Sequence, residues 1–291
     1  MENKKYQIEK EIKSCANFLK RTTYGGNLLY TFHKRNCPNL MLEVGRLREE
    51  TFSKHGGGSG KEYDIDDFDE LFWQLIVWNE EKKEILGGYR YFLLNNATIE
   101  TPTMRLFDFS EIFIRDYMKN TLELGRSFVA HAYQVAHTKE AVFILDNLWE
   151  GLGALVNQDK RIKYFFGKVT MYRTIPQKAR EMIIFFMKKY FNSQLVKPKK
   201  EFEITLQYKN EIAKTLNGDN QQQDWKILQN KLKEQGIRIP PLFTAYINLS
   251  PTMKYFGTAL NPHFGMVEES AILITIKEIY QKKLERYLYN Q

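Results

Sequence analysis

Cysteine and histidine are scarce in this sequence. Of its 291 residues, two are cysteine and five are histidine. Cys15 and Cys37 form neither a disulfide framework nor a metal-ligand spacing, so we expect reduced thiols in a reducing compartment. The histidines are scattered, without a partner at the spacing of a zinc site, and the G-x-S-x-G nucleophile motif is missing. We therefore expect no metal and no covalent catalysis, and for an enzyme we favour direct transfer within a ternary complex.

Long apolar runs are missing as well. No stretch approaches the roughly 20 apolar residues that a membrane-spanning helix needs. The amino-terminal segment "MENKKYQIEKEIKS" lacks the apolar core of a signal peptide. Hydrophobic residues still make up 43% of the chain and aromatic residues 14%, which is typical of a globular protein. We predict a cytoplasmic protein with a sizeable core, in one large domain or two small ones.

Positive charge is in excess. The formal net charge is +8, which favours an acidic partner such as nucleic acid, an anionic membrane or an acidic protein. Part of this charge lies in "MKKYFNSQLVKPKK" (187–200), which is either a partner surface or a solvated face followed by a linker. No zinc-finger spacing or RNA-recognition aromatic pattern accompanies it, so we do not predict nucleic acid as a partner.

The hydrophobic pattern predicts alternating helices and strands. A polar, mostly helical lead-in (1–24) precedes a helix through Val44 and Phe52, a hairpin (69–94), a strand (122–130), a helix (139–157), a strand (164–171) and a helix (176–191). This order predicts an α/β fold with a mixed sheet. We expect a core domain at 1–198, a polar helical insertion or lid at 199–236, and a segment at 237–291 that completes the core and ends in a charged helix.

Two loops in the first part of the chain have unusual composition. "GGGSGK" (56–61) superficially resembles a phosphate-binding loop, but it lacks the spacing and the preceding strand, so we interpret it as a mobile loop. The acidic run "EYDIDDFDE" that follows contains Asp64, Asp66, Asp67 and Asp69. These carboxylates either form an exposed loop or helix cap, or some of them face Arg48 and Arg90 and form a charged wall around a polar or cationic substrate. Arg90 favours the second interpretation, because a buried arginine in mid-strand needs an anionic partner.

The stretch "LELGRSFVAHAYQ" (122–134) places Glu123 and Arg126 inside an apolar strand. Buried charges are costly unless they pair or have a function, so this is either a structural ion pair or the polar centre of an active site. Regular alternation would direct Glu123 and Arg126 to opposite faces of the sheet. A bulge at Gly125 would break the alternation and could turn both charges toward one pocket.

Seven segments together resemble a known family. They are "RLREETF" (46–52), "YDIDDFD" (63–69), "LGGYR" (86–90), "ELGRSFV" (123–129), "NLWEGLGALV" (147–156), "YFFGKVTM" (164–171) and "IPPLFTAYINL" (239–249) with "NPHFGM" (261–266). In this order they are similar to the long-chain N-acyltransferases of the acetyltransferase-like (GNAT) superfamily that make ornithine and glycine lipids. Many such proteins are labelled "hemolysin". The resemblance implies a mixed, twisted sheet in which the ELGRS strand splays from its neighbour, with an acyl-phosphopantetheine arm in the opening.

The resemblance also implies roles for individual residues. Arg48, Asp64, Asp69 and Arg90 would bind the amino-acid acceptor, and Ser127, Phe128 and Val129 would lie beside the acyl donor. Glu123 would take the proton of the acceptor amine, as a positioned carboxylate can. Arg126 would either hold Glu123 in place or bind the acceptor's carboxylate. The acceptor would be ornithine or glycine, and the acyl group long and 3-hydroxylated.

One departure from the family bears on the donor. Acetyl-CoA-using relatives have a glycine-containing loop after this strand that binds the CoA pyrophosphate, whereas "YQVAHTKEA" (133–141) contains no glycine. We therefore expect no tightly bound cofactor and predict acyl carrier protein as donor, with acyl-CoA as the alternative. A degenerate, inactive copy, an acyl-homoserine-lactone-type synthase and a non-catalytic lipid- or carrier-binding protein also fit.

The segment "EMIIFFMKKYF" (181–191) is predicted to be a helix with one of three roles. It faces the core, lines an acyl channel, or touches an anionic membrane.

Overall fold

The computed structural model describes residues 2–94, 99–135 and 139–289. Part of the 133–141 stretch therefore lies outside the described residues. The chain forms two compact units, each built from separate segments of sequence. Unit 1 comprises 1–94, 120–163 and 281–291, and unit 2 comprises 95–119 and 164–280.

Within its described residues, unit 1 combines five strands with five α-helices. The strands are β1 (Asn17–Arg21), β2 (Leu28–His33), β3 (Trp73–Asn79), β4 (Glu84–Leu93) and β6 (Thr121–Val129). The helices are α1 (Glu2–Ser14), α2 (Pro38–Ser53), α4 (His131–Val135), α5 (Lys139–Gln158) and α10 (Gln281–Leu284), and a π-helical turn (Glu285–Tyr289) follows. The strands pair in the order β1-β2-β3-β4-β6, and each of these pairs is antiparallel.

Two helices cover opposite faces of this sheet. Arg48 of α2 is hydrogen-bonded to Gln74 of β3. On the other side, a Cβ atom at Gly151 of α5 would lie 2.9 Å from the side chain of Leu75, the next residue of the strand. Consecutive strand residues point to opposite faces, so α2 and α5 lie on different sides of the sheet. The α2 face is the one that collects charged side chains.

Unit 2 has its own layers. Its strands are β5 (Phe107–Phe109), β7 (Tyr164–Met171), β8 (Val196–Pro198), β9 (Lys254–Asn261) and β10 (Val267–Thr275). Its helices are α3 (Glu111–Asp116), α6 (Gln177–Phe191), α7 (Lys209–Thr215), α8 (Gln221–Glu234) and α9 (Pro241–Ile247). β10 pairs with β7 and β9, and β5 pairs with β8, in antiparallel ladders.

The apolar side chains of α6 lie in the core of unit 2. Met182, Ile183, Phe186 and Met187 are buried. Phe186 also contacts Trp225 of α8, with ring centroids 5.2 Å apart. The core-facing interpretation of this helix is therefore confirmed. Its contact with an acyl chain or a membrane surface stays a prediction.

The predicted α/β fold class is confirmed, and most predicted elements are present. The hairpin is β3 and β4, and the strand at 164–171 and the helix that starts after Pro176 are found as expected. The polar stretch at 199–236 contains α7 and α8 with a break between them. The prediction of a mostly helical segment at 1–24 was wrong in part, because Asn17–Arg21 is a strand. Pairing with β2 stabilises this strand, and local composition does not reveal such a tertiary contact. The division at 198 and 236 stays a prediction.

Candidate active site

Helix α2 places Arg48 inside unit 1. Its apolar residues face the sheet, and the fully buried Arg48 points the same way. Arg48 Nη1 donates to Asp69 Oδ1 at 3.0 Å, and Nη2 donates to Gln74 Oε1. Gln74 in turn donates from Nε2 to Asp69 Oδ1 at 3.0 Å, so guanidinium, amide and carboxylate form a closed ring of contacts.

The acidic run supplies the negative charges and also caps a short helix. Phe68 N donates to Asp66 Oδ1 and Asp66 N donates to Asp69 Oδ2, each at 3.0 Å, around a 3₁₀ turn (Asp67–Glu70). This is a capping box, which satisfies amides that the turn leaves free. The loop also packs closely on α2, since a Cβ atom at Gly45 would lie 2.6 Å from Ile65. The acidic run is therefore a helix cap whose Asp69 also faces Arg48, and its role as a wall around a substrate stays a prediction.

Arg90 lies at the centre of the same face. It is opposite Gln74 on β3 and Gly125 on β6, and directly opposite residues share a face. Its Nη1 is 2.6 Å from Asp66 Oδ1 and 3.4 Å from Asp69 Oδ2. Its guanidinium also lies over the ring of Phe72, 5.2 Å from the centroid. A buried arginine in mid-strand requires an anionic partner, and Arg90 has two of them, Asp66 and Asp69.

A bulge in β6 turns Arg126 toward the same carboxylates. The ladder with β4 pairs Arg90 with Gly125 and Gly88 with Phe128, so Arg126 and Ser127 together oppose the single residue between them on β4. The bulge lies one residue beyond Gly125, the position considered from the sequence, and Arg126 has the left-handed conformation, with φ of 49°. Arg126 Nε lies 2.7 Å from Asp64 Oδ2, and Nη2 lies 3.5 Å from Asp66 Oδ2. A non-glycine residue in this conformation is strained, and such residues cluster at functional sites.

Glu123 belongs to the same sheet face. It pairs with Phe92 in the β4–β6 ladder, two residues from the Arg90–Gly125 pair, and is 2% exposed. Phe128 is also buried, and the carbonyl of Val129 accepts a hydrogen bond of 2.6 Å from Gln134 Nε2. The strand thus carries a buried carboxylate before the bulge and a mostly apolar stretch after it.

Opposite charges favour the ionised forms of Asp66, Asp69 and Arg90. Burial alone would raise the pKa of Asp69, but Arg48 and Arg90 outweigh it and hold that pKa well below its usual range. Burial opposes Arg90 in the same way for Asp66, whose pKa is also lowered. Arg90 is likewise desolvated, yet Asp69 and Asp66 raise its pKa. Asp66, Asp69 and Arg90 are therefore charged at neutral pH, whereas burial lowers the pKa of Arg48 although Asp69 and Asp64 oppose that shift.

The cluster opens to solvent at one end. The side chains of Arg48 and Arg90 are 0% and 2% exposed, whereas those of Arg126 and Asp66 are 16% and 34% exposed. Arg126 and Asp66, which contact each other, are therefore the accessible members of the cluster. Such a pair offers one charge of each sign to a ligand.

The structure unites most of the predicted residues and adds two others. Arg48, Asp64, Asp69, Arg90 and Arg126 lie in one network of ion pairs. Gln74 was missed, although an amide within "WQLIVW" is an unusual residue for a buried strand. Asp66 was noted in the acidic run but not selected, because sequence does not show which aspartate faces the arginines.

The glycine-rich loop binds a carboxylate of the protein itself. Ser59 N donates to Glu49 Oε2 at 2.8 Å and Gly60 N donates to Glu49 Oε1 at 3.0 Å. A Cβ atom at Gly58 would lie 2.7 Å from Glu49 Oε1, so glycine is required there. A phosphate-binding loop would offer its backbone amides to a ligand, but here Glu49 of α2 occupies them. The sequence did not predict this contact.

Neither a metal cluster nor a spanning helix is found in the parts of the chain that the structure describes. Within 2–94, 99–135 and 139–289, no three His, Cys, Asp or Glu side chains are grouped as metal ligands would be. In the same ranges, no helix combines the length and apolarity needed to cross a bilayer.

Comparison with known proteins identifies the class. An acetyltransferase (GNAT) domain matches residues 47–143, a range that includes Arg48, the acidic loop, Arg90, Glu123 and Arg126. A glycine N(alpha)-acyltransferase from Bacteroides thetaiotaomicron is 44% identical over 93% of this chain and 83% of its own length. One from Phocaeicola vulgatus is 43% identical over 93% of this chain and 86% of its own length.

This chain is an acyltransferase of the GNAT type and belongs to the same N-acyltransferase family as these two proteins. The prediction of an enzyme is therefore confirmed. Two solved acyl-homoserine lactone synthases are more distant. LasI has a TM-score of 0.35 and 17% identity over 50% of this chain and 72% of its own. BjaI with MTA has a TM-score of 0.43 and 10% identity over 89% of this chain and 87% of its own.

Proposed function

We propose that this protein transfers a long-chain 3-hydroxyacyl group from acyl carrier protein to the amine of glycine, forming a lyso-aminolipid. The charge cluster of unit 1 is the observation on which the proposal rests. Glycine is favoured over ornithine as acceptor because the two similar proteins at 43–44% identity are named glycine N(alpha)-acyltransferases. A cytoplasmic location and an acyl carrier protein partner are parts of the same proposal.

The accessible end of the cluster suits a zwitterion. Glycine carries one carboxylate and one ammonium group, and Arg126 and Asp66 present the complementary charges. A guanidinium can bind a carboxylate through two parallel hydrogen bonds, and the contact of 3.5 Å between Arg126 Nη2 and Asp66 is long enough to be exchanged for a ligand contact. In this proposal Arg126 binds the acceptor's carboxylate, and the buried Arg48 and Arg90 keep Asp64, Asp66 and Asp69 in place.

Glu123 then serves as the general base. The ammonium of glycine must lose a proton before its nitrogen attacks the thioester carbonyl, and the Glu123 carboxylate accepts that proton. The new C–N bond gives a tetrahedral oxyanion, which backbone N–H groups beside the bulge would stabilise. Collapse of this intermediate breaks the C–S bond, and the second proton of the nitrogen passes to the departing sulfur, so that the phosphopantetheine thiol and the amide are released.

The donor assignment rests on charge and on the chain after β6. Acyl carrier proteins are acidic, and a net charge of +8 favours their approach. The lack of glycine in 133–141 argues against a CoA pyrophosphate loop. We expect acyl carrier protein to be the better donor, and its advantage over acyl-CoA to shrink as salt is added, because salt screens charge steering.

The first experiment combines the purified protein with 3-hydroxyacyl carrier protein and a mixture of amino acids. We expect N-acylglycine by mass spectrometry, and a loss of roughly 10²–10⁴-fold in kcat for Glu123→Gln. Glu268→Gln is the matched control, because Glu268 is a buried glutamate of unit 2. Equal activity in both variants would remove Glu123 from the mechanism. Acylation of another amino acid, or transfer from acyl-CoA alone, would overturn the acceptor or the donor.

A further inference from the structure

The two cysteines, far apart in sequence, meet in the structure. Cys15 follows α1 and is partly exposed, and Cys37 is the N-cap residue of α2 and is buried. An N-cap side chain usually binds a helix amide, but the side chain of Cys37 makes no such bond. Its thiol instead lies beside that of Cys15, whose Sγ is also 3.1 Å from Ser14 Oγ.

A carboxylate on α1 holds the start of α2 against it. Glu11 Oε1 accepts from Asn39 N at 3.1 Å, and Glu11 Oε2 accepts from Leu40 N at 2.8 Å, at the start of α2. The backbone carbonyl of Glu11 accepts from Cys15 N at 2.8 Å, so Cys15 lies one helical turn further along α1. The end of α1 is thereby held against the start of α2, where both cysteines lie.

We propose that Cys15 and Cys37 are a dithiol site that a low-molecular-weight disulfide oxidises to an intramolecular disulfide. The Cys15 thiolate attacks the small disulfide, forms a mixed disulfide and releases one small thiol. Cys37 gives up its proton and attacks Cys15 Sγ, which forms the protein disulfide and releases the second small thiol. Two protein thiols are oxidised, and one small disulfide is reduced to two thiols.

The order of the two steps follows from burial. Cys15 is the member that solvent reaches, so the external disulfide meets it first. Burial, and then the neighbouring Cys15 and Glu11, raise the pKa of Cys37 to about 12. Cys37 therefore stays a thiol until Cys15 has reacted, and then acts on a sulfur that is already in contact with it. The charge of a Cys15 thiolate no longer opposes the ionisation of Cys37 at that stage.

The disulfide would connect two helices of unit 1. It closes a loop that contains β1 and β2, which lowers the entropy of the unfolded chain. We expect the oxidised protein to have a Tm higher by on the order of 5 °C than the reduced protein. Arg48 lies three turns along α2 from Cys37, at a distance from the two cysteines. Oxidation is therefore measured by mass and by Tm rather than by activity.

The test uses the full-length protein incubated with oxidised glutathione, alkylated, and digested with trypsin without reduction. We expect peptides 14–20 ("SCANFLK") and 36–46 ("NCPNLMLEVGR") to be joined, and reduction to separate them. Cys15→Ser should show neither the joined peptides nor the rise in Tm. Cys37→Ala should stop at a glutathione adduct on Cys15, which distinguishes a missing second thiol from a misfolded protein.

Two results would overturn the proposal. One is a wild-type protein that keeps glutathione on Cys15 while Cys37 is alkylated after denaturation. The other is a disulfide between two chains, seen as a dimer on a non-reducing gel. Neither readout depends on the acyl donor or acceptor, so the outcome is independent of the proposed function.

Discussion

Each unit buries charged side chains on a sheet, but the two groups are built differently. In unit 1, Asp69 faces both Arg48 and Arg90, and each arginine contacts more than one oxygen. In unit 2, Glu268 is paired with Arg180 at 2.9 Å, and Glu269 with Lys168 at 2.9 Å. The first is a network and the second a set of single pairs.

The balance between burial and nearby charges sets the direction in which the pKa of each carboxylate shifts. Two guanidinium groups outweigh the burial of Asp69, so its pKa is lowered. Burial dominates for Glu268, whose pKa is raised although Arg180, its ion-pair partner, and Arg173 oppose the shift, and the like charge of Glu181 adds to it. One of its oxygens, Oε2, also accepts no hydrogen bond from any residue within the described ranges. A single ion pair rarely offsets desolvation, whereas a network with several donors can.

This difference indicates which group can meet a charged ligand. The unit 1 network keeps fixed charges of both signs and reaches solvent at Asp66 and Arg126. The pairs of unit 2 are closed, with side chains at most 10% exposed. Their carboxylates lie on consecutive residues of β10 and therefore on opposite faces, so they do not converge on one site.

Removal of the shared carboxylate should have the largest effect. In Asp69→Asn, Arg48 and Arg90 lose a buried counter-charge, and breaking a buried ion pair typically costs 3–5 kcal/mol. We expect a loss of about that size in the free energy of unfolding, measured with urea, and loss of transferase activity. A cost below about 1 kcal/mol would mean that the network does not stabilise unit 1.

The two carboxylates should also respond to acid with opposite sign. Asp69 has a lowered pKa, so the unfolded chain binds a proton first and stability is lost as the pH falls below the ordinary aspartate value of 3.8. Glu268 has a raised pKa, so the folded protein binds a proton first and gains stability as the pH falls toward the ordinary glutamate value of 4.5.

Unfolding free energies measured between pH 7 and pH 3 check these signs. Asp69→Asn should lose stability less steeply in acid than the wild type, and Glu268→Gln more steeply. Parallel curves for the three proteins would show that the two carboxylates have the same protonation behaviour in the folded and unfolded states.

Replacement of Glu268 should have the smallest effect at neutral pH. Its charge is already disfavoured by burial, so Glu268→Gln removes an unfavourable charge together with a favourable pair. We expect a change in the free energy of unfolding within about 1 kcal/mol, with activity retained. A loss as large as that of Asp69→Asn would show that single and multiple pairing are equivalent here.

Several parts of the site were predictable because each follows from local rules. A mid-strand arginine must find a carboxylate, and Arg90 finds two. A glutamate and an arginine around a glycine indicate a bulge, and the bulge is one residue away from the predicted position. The exact residue depends on the register with β4, which the sequence of β6 alone does not contain.

Other parts were not predictable, because they depend on residues distant in sequence. Gln74 belongs to the charge cluster only because β3 pairs with the strand that carries Arg90 and packs against α2. Cys15 and Cys37 were assigned no partner, although α1 brings each to the other. Leu19 and its neighbours form a strand because β2 is available to pair with them.

Hydrophobic period and charge type are local properties, so the sequence by itself determined the α/β class, most helices and strands, and the residue types of the site. Contacts between distant segments were decided only by the tertiary structure. These include the choice of Asp66 and Asp69 as partners of Arg90, the exposure of Arg126, the capture of the glycine-rich loop by Glu49 and the meeting of the two thiols. Each depends on packing between segments, and packing is fixed by the free energy of the whole chain rather than by any local pattern.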